Sequence, residues 1–447
     1  MNPQSRPNVG IPRRDVIAHT AALLATAVFG AWPRRADGAT GDSAAQSLHP
    51  ITLRFWLVGH EAEVIHELLP EFERRNPKIK VAIQHLPWTA AHEKLLTAFA
   101  GDALPDLCQL GNTWVPEFSA LNALEPLDAR IAASQVIRAE DYFSGIWDTN
   151  RVDGVVRGVP WYVDTRLLFY RRDLLAHAGF DHAPSDWNEW ARMLGVIKAR
   201  AGSERYAILF PLNEFEPLLA LALQQPEPLL RDGGRYGGFS GDGFRRALTF
   251  YVEIFAKGWA PLMSNTQISN VWTEFGRGLF SFYVSGPWNI EEFKRRLPPE
   301  LKHAWMTAPL PGPHGPGASI AGGASLAVFR SSRHKDAAWR LIEYLAEPAV
   351  QLRFHALTGD LPPRRSAWLD TRLASDQHAA AFREQLERVK PTPKVPEWER
   401  IANEMQTIAE LVVHGRFSVD AGTIELDRRV DAILEKRRWM LARRNSA

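Results

Sequence analysis

From Ile51 onward, short runs of alternating apolar residues trade places with runs at helical spacing. That alternation constrains the fold more than any other feature of the chain. Ile51-Thr52-Leu53-Arg54-Phe55-Trp56 alternates as a first strand. Val64, Ile65, Leu68, Leu69 and Phe72 then recur every three or four residues, and Asn76-Pro77 stops the helix they predict. Val81 and Ile83 mark a second strand, and Thr89 is placed to cap a helix that buries Leu95, Leu96 and Phe99. Pro105 to Leu110 predicts a third strand, ending at Gly111-Asn112-Thr113-Trp114. Strands separated by helices pair mostly in parallel, and the helices cover both faces of the sheet. The fold class is therefore α/β. Ligands of such sheets gather at the loops beyond the carboxyl ends of the strands, where His60-Glu61 and Asn112-Thr113-Trp114 fall.

A second region of the same kind begins at Leu167-Leu168-Phe169-Tyr170 and continues through Ala207-Ile208-Leu209-Phe210. Between them, Trp187 to Arg200 predicts a helix capped by Ser185 or Asp186. Stretches rich in Pro and Gly at 309–318, 359–364 and 390–396 sit among periodic segments, so they read as turns and crossings rather than flexible linkers. The basic tail around Lys436, Arg437, Arg438, Arg443 and Arg444 reads as a solvated helix end. A chain of 447 residues has room for two or three domains.

Charge excludes a polyanion binder. Lys and Arg number 53 against 51 Asp and Glu, a balance of +2. The first 40 residues carry Arg6, Arg13, Arg14, Arg34 and Arg35 against Asp15 and Asp37, so the rest of the chain is slightly negative. One cysteine, Cys108, excludes a disulfide framework and a cysteine zinc site. At the front, Arg13-Arg14 precede the uncharged run Val16 to Trp32, and small residues follow near Ala36-Asp37-Gly38-Ala39. Residues 1–40 thus read as an export signal, with the paired arginines resembling a twin-arginine signal. Cys108 lies too far inside to carry a lipid at a mature N-terminus. A soluble protein of the periplasm is the expectation.

Catalytic motifs are absent. Each His-Glu pair (His60-Glu61, His66-Glu67, His92-Glu93) lacks the second His one turn later that a zinc protease needs, the positions being Val64, Pro70 and Leu96. There is no Gly-x-Ser-x-Gly elbow, P-loop or strand-linked dinucleotide fingerprint, and the Gly233 to Gly243 cluster reads as a surface loop. Carboxylates are numerous enough to leave a glycosidase pair open as an alternative.

Tryptophan is abundant, at 16 copies. Several turn-like stretches join a Trp or Phe to an amide, carboxylate or Arg. These are Gly111-Asn112-Thr113-Trp114, Pro160-Trp161-Tyr162-Val163-Asp164-Thr165-Arg166, Asn213-Glu214-Phe215 and Ser285-Gly286-Pro287-Trp288. A sugar presents an apolar C–H face and a rim of hydroxyls, which an aromatic face and rigid charged groups complement.

At these stretches the chain resembles the extracellular solute-binding proteins of family 1, the sugar-binding subunits of ABC importers. Further matches are Leu86-Pro87-Trp88, Ala321-Gly322-Gly323-Ala324-Ser325 and Thr358-Gly359-Asp360-Leu361-Pro362. The resemblance implies a two-lobed periplasmic-binding-protein fold with three crossings, near Asp164–Arg166, Ala321–Ser325 and Asp360–Arg364. One lobe would comprise 51–164 with 325–362, the other 165–322 with 363–447, with the ligand between them.

It also implies site residues. Asp164 matches a carboxylate that binds sugar hydroxyls, and Trp288, after Gly286, an aromatic that stacks on a sugar ring. Asn112, Thr113, His60 and Glu61 match polar contacts from one lobe, and Glu214 and Phe215 a carboxylate and aromatic from the other. Gly322 and Gly323 would let backbone N–H groups approach the ligand. Trp161, Tyr162, Arg166, Arg364 and Trp398 complete the set, and Arg166 with Arg364 admits an anionic sugar derivative. The expected partners are a carbohydrate and membrane permease subunits, with the chain a monomer that performs no chemistry and needs no cofactor, metal or nucleic acid. The alternative is an exported carbohydrate-active hydrolase using Glu61 and Asp164.

Overall fold

The computed structural model describes residues 50–444. The export signal expected at 1–40 lies outside the described residues. Residues 50–444 belong to one compact unit that contains two main sheets.

In chain order the strands of these sheets are β1 (Ile51–Val58), β2 (Ile79–Leu86), β3 (Leu107–Gly111), β4 (Val159–Asp164), β5 (Leu167–Arg171), β6 (Tyr206–Leu209), β7 (Phe280–Ser285), β8 (Trp305–Ala308) and β9 (Gly322–Val328). The first sheet has the order β2-β1-β3-β9-β4, and the second β8-β5-β7-β6. All the strands read from the sequence are present. The expectation of mostly parallel sheets is not met. β2, β1 and β3 are parallel, but β9 runs antiparallel to both β3 and β4, and β5 is antiparallel to both its neighbours. The cause is the chain path. β4 carries the chain out of the first sheet into β5, and β9 brings it back, so two adjacent strands must run in opposite directions.

Each sheet is covered on both faces. Leu53, Phe55 and Leu57 of β1 point into one apolar cluster with Phe72, Leu341 and Phe354. Cys108 and Leu110 of β3 point into another with Leu95, Phe118 and Phe329. In the second sheet, Leu168, Ile208 and Phe282 face a cluster with Trp190, Tyr251 and Trp398, while Phe169, Leu209 and Tyr283 face one with Phe293 and Trp368. A fully buried Leu or Phe in these clusters contributes about 1.5–3 kcal/mol.

Local details depart from expectation where proline intervenes. The single helix expected across Val64–Phe72 is divided into Glu61–Val64, a 3-10 turn at Ile65–Glu67 and Leu69–Arg75. Pro70 has no N–H to continue a helical ladder, so it is tolerated only in a first turn. Thr89 is not a cap: the helix Trp88–Ala100 starts one residue earlier, after Pro87. Asp186 does cap Trp187–Ala201, accepting the Glu189 N–H. The Gly233–Gly243 stretch contains a strand, Tyr236–Gly237, paired in a hairpin with Leu230–Arg231. The basic tail is the helix Glu435–Arg444.

Candidate functional site

Residues from both sheets meet where the chain passes between them. Arg166, in the two-residue passage from β4 to β5, is at the centre. Its guanidinium lies 2.5 Å from Asp164 Oδ1 and 3.2 Å from Glu216 Oε1, and 4.8 Å from the centroid of the Trp288 ring. Asp164 ends β4, Glu216 follows β6 and Trp288 follows β7, so three strand ends converge on one cation. Gly286 makes room for this. A Cβ there would stand 2.0 Å from the Trp288 ring.

The first sheet contributes a hydrogen-bonded cluster at the ends of β1 and β3. Gln109, fully buried, accepts the Val58 N–H through Oε1 (2.9 Å) and donates from Nε2 to Tyr162 Oη (3.0 Å) and Glu61 Oε1 (3.4 Å). Gln109 thereby fixes Glu61 and Tyr162 together. Burial pushes the Glu61 carboxyl up, against hydrogen bonds from Tyr162 and Gln109. Asp360 joins this group. Burial raises it well above the usual carboxylate range, Glu61 and Asp164 add to the rise, and Thr358 partly offsets it. Gly59, at a φ of +71°, places Trp88 Nε1 and Glu61 Oε2 around one point, where a Cβ would lie 2.5 and 2.7 Å from them. Trp88 is exposed and meets Trp114 edge-on at 5.6 Å.

The second sheet adds Glu214, which accepts from Asn265 Nδ2 at 3.1 Å; burial raises its carboxyl and Arg166 pulls it down. At the start of the helix Trp398–Val413, which packs against the turn Asn112–Trp114 after β3, the Glu399 carboxyl is raised by burial and lowered by Thr113 and His92. His92 itself pairs with Glu117 at 2.6 Å, which raises the imidazole. The site is thus rich in partly desolvated carboxylates, with Arg166 as the cation among them. Such groups accept hydrogen bonds from hydroxyls strongly, because little water competes.

Of the residues singled out from sequence, the structure brings together Asp164, Arg166, Trp288, Gly286, Glu61, Tyr162, Thr113 and Glu214, with Phe215 adjoining Glu214. Others are elsewhere or do something else. His60 turns outward to Glu63 at 2.9 Å, both exposed. Asn112 is buried, its Oδ1 accepting from Ser325 Oγ at 2.8 Å. Trp161 stacks on Phe354 at 4.3 Å inside the first sheet's core, and Trp398 is wholly buried in the second's. Arg364 is a structural ion pair: Nε donates to Asp141 Oδ2 (2.6 Å) and Nη1 to the Ala346 carbonyl (2.5 Å). With Arg364 and Arg166 both facing carboxylates, the anionic-sugar expectation loses its basis.

Gly322 and Gly323 serve strand pairing rather than ligand approach. A Cβ at either would stand 2.3 and 2.2 Å from the carbonyls of Asp164 and Tyr162, respectively, and Gly323 holds a φ of +123°. Sequence reasoning missed Gln109, Glu216, Asp360 and Glu399 as site residues, and quoted Trp88 without assigning it. Gln109 carried a signal, a lone amide inside an apolar strand, and Asp360 stood in a stretch that matched the family without being assigned.

Among the described residues, no group of three or more His, Cys, Asp or Glu could hold a metal ion, and no helix is long and apolar enough to cross a membrane.

The family model for bacterial extracellular solute-binding proteins matches residues 59–352. The chain belongs to that family. The structure of the sugar-binding protein MalE from the phytopathogen Xanthomonas citri is 60% identical, with a TM-score of 0.85, covering 88% of this chain and 99% of that one. The GacH receptor of Streptomyces glaucescens, solved unliganded and with acarbose, is 22% identical with a TM-score of 0.74, over 86% of this chain and 99% of that one, and shares the fold. The diacetylchitobiose binding protein DasA of Streptomyces coelicolor is 23% identical over 79% of this chain and 83% of its own length. The structural match gives this chain the two-lobed periplasmic-binding-protein fold. A family of solute receptors gives no support to the hydrolase alternative.

Proposed function

We propose that this protein is the exported, periplasmic receptor of an ABC importer, which captures a sugar or oligosaccharide between two lobes and delivers it to a membrane permease. The lobes are 51–164 with 325–362 and 165–322 with 363–447. The observation that carries the reading is the convergence of Asp164, Glu216 and Trp288 on Arg166 at a crossing between the sheets. An indole face beside fixed carboxylates and a guanidinium suits a ring of C–H groups edged by hydroxyls. The kinship with a protein described as sugar-binding, at 60% identity, supports the same ligand class.

The mechanism is closure. Glu61, Asp360 and Tyr162 belong to one lobe and Glu214, Glu216 and Trp288 to the other, so a ligand that touches both favours the arrangement in which they approach. Affinity then reflects differential binding of the closed state. The Thr113–Glu399 contact already spans the two. The permease reads occupancy as the shape of the two rims, and the receptor acts as a monomer.

Thermal unfolding of the chain from residue 41 against di- and trisaccharides and amino and acidic sugars tests this. A ligand at about 100 times its Kd stabilises the protein by roughly 2.7 kcal/mol. The expected result is a raised midpoint with one neutral sugar class, the sugar being recovered unchanged after denaturation. Release of hydrolysis products, or no shift with any sugar, would refute the receptor reading.

A further inference from the structure

The helix Glu435–Arg444 has an exposed side that sugar capture does not use. Trp439 is 55% exposed and Met440 44%, and Tyr236, 37% exposed, lies 4.9 Å from the Arg438 guanidinium on the adjoining hairpin. Large apolar side chains exposed singly need no explanation, but Trp439 and Met440 are neighbours on one helix and both are exposed. Cations surround them. Lys436 and Arg443 are exposed with no carboxylate partner among the described residues, and Arg443 lies 4.0 Å from the centroid of the Trp439 ring. Arg437 and Arg438 donate to the carbonyls of Gly234 (3.1 Å) and Arg235 (3.0 Å), which ties the helix to the hairpin without cancelling either charge. The opposing carboxylates are Glu435 on the helix and Asp232 and Asp431 beside it, and Asp431 accepts the Gly237 N–H at 2.8 Å. The positive charge is local, since the chain beyond residue 40 is slightly negative as a whole.

An indole and a thioether flanked by Lys and Arg is the chemistry of a helix lying in a lipid headgroup layer. The apolar groups enter the acyl boundary while the cations meet phosphates. A purely electrostatic partner would use the cations and leave Trp439 and Met440 in water. Ten residues are too few to span a bilayer, so contact is peripheral. We propose that the exposed face of Glu435–Arg444 that carries Lys436, Trp439, Met440 and Arg443 docks this protein on an anionic phospholipid surface.

Co-sedimentation tests the proposal, using the chain from residue 41, which keeps the whole compact unit while removing the apolar leader. The probes are vesicles of phosphatidylcholine alone and vesicles enriched in phosphatidylglycerol. The chain is expected to sediment with the anionic vesicles, to dissociate at high salt, and to ignore the neutral ones. A cation near such a surface contributes roughly fivefold in partitioning, so Lys436→Gln with Arg443→Gln should weaken binding about 25-fold. Trp439→Ala should weaken it while preserving the salt dependence. Both variants should keep the parent's unfolding midpoint and sugar response, which separates failure here from failure of the receptor reading. Absence of binding to anionic vesicles, equal binding to neutral ones, or a double variant that binds like the parent would overturn the proposal.

Discussion

Replacing Asp360 with Asn should stabilise the sugar-free protein, and the gain should depend on pH in a defined direction. Asp360 is 9% exposed, near two other carboxylates, Glu61 and Asp164, and its folded-state affinity for a proton is raised chiefly by burial. A carboxyl whose folded pKa exceeds its unfolded one binds a proton in the native state at pH values where the unfolded chain has lost it. Stability therefore falls as pH rises from the unfolded value, near 4, through the raised folded value. Asn resembles the protonated acid, so it escapes that fall. The cost of an incompletely compensated buried polar group is about 1–3 kcal/mol. For about 400 residues unfolding together, the unfolding entropy is roughly 0.8 kcal/mol/K, so each kcal/mol moves the midpoint about 1.2 °C. The expected gain is about 1–4 °C at a pH near 8, shrinking toward zero near pH 4, by differential scanning calorimetry at each pH. A variant that melts lower near pH 8, or whose gain is independent of pH, would refute the argument. Either would mean that the Asp360 carboxylate is well satisfied when charged.

Three further outcomes follow from the same geometry. Trp288→Ala should weaken sugar binding by about 1–3 kcal/mol, roughly five- to 150-fold in Kd by titration calorimetry, and unchanged affinity would remove Trp288 from the site. Arg364→Met should lower stability by about 1–3 kcal/mol while leaving sugar affinity intact, because it removes the donors to Asp141 and to the Ala346 carbonyl while Ser366 alone still donates to Asp141; a lost affinity with an unchanged midpoint would restore Arg364 to the site. Asp141 is held below the usual carboxylate range in the parent: burial opposes this, but Ser366 and Arg364 prevail. That part of the stability is therefore present at neutral pH and lost as pH falls through the depressed value. Gly323→Ala should cost at least about 2 kcal/mol in chemical denaturation, since a φ of +123° and a carbonyl 2.2 Å from the new Cβ both oppose it; a neutral effect would show that β9 and β4 can separate.

What the sequence determined by itself was most of what depends on neighbours a few residues apart. The alternation in Ile51–Trp56 and Leu167–Tyr170 specifies strands, the spacing in Trp187–Ala201 with Asp186 before it specifies a capped helix, and the order of such segments specifies an α/β chain. Strand ends were legible too, and with them the His60-Glu61 and Asn112-Thr113-Trp114 loops, because ligand-binding loops follow from strand polarity; Asp164, Glu214 and Trp288 were named through the resemblance to solute-binding proteins. Tertiary structure decided what each polar or aromatic side chain faces. Arg364 and Arg166 look alike as arginines beside a crossing, yet Arg364 meets Asp141, 223 positions away, and Arg166 meets the site. Trp161, Trp398 and Trp288 are the same residue type, and only packing puts the first two in cores and the third against the Arg166 guanidinium. Asp360 acquires its raised proton affinity chiefly from burial, with Glu61 and Asp164 adding to it, and the Glu399 carboxyl, raised by burial, is lowered by Thr113, surroundings that local periodicity cannot bring into view. Strand direction obeyed the same limit: β9 runs against β3 and β4 because the chain must return from the second sheet, a fact about the path of the whole molecule.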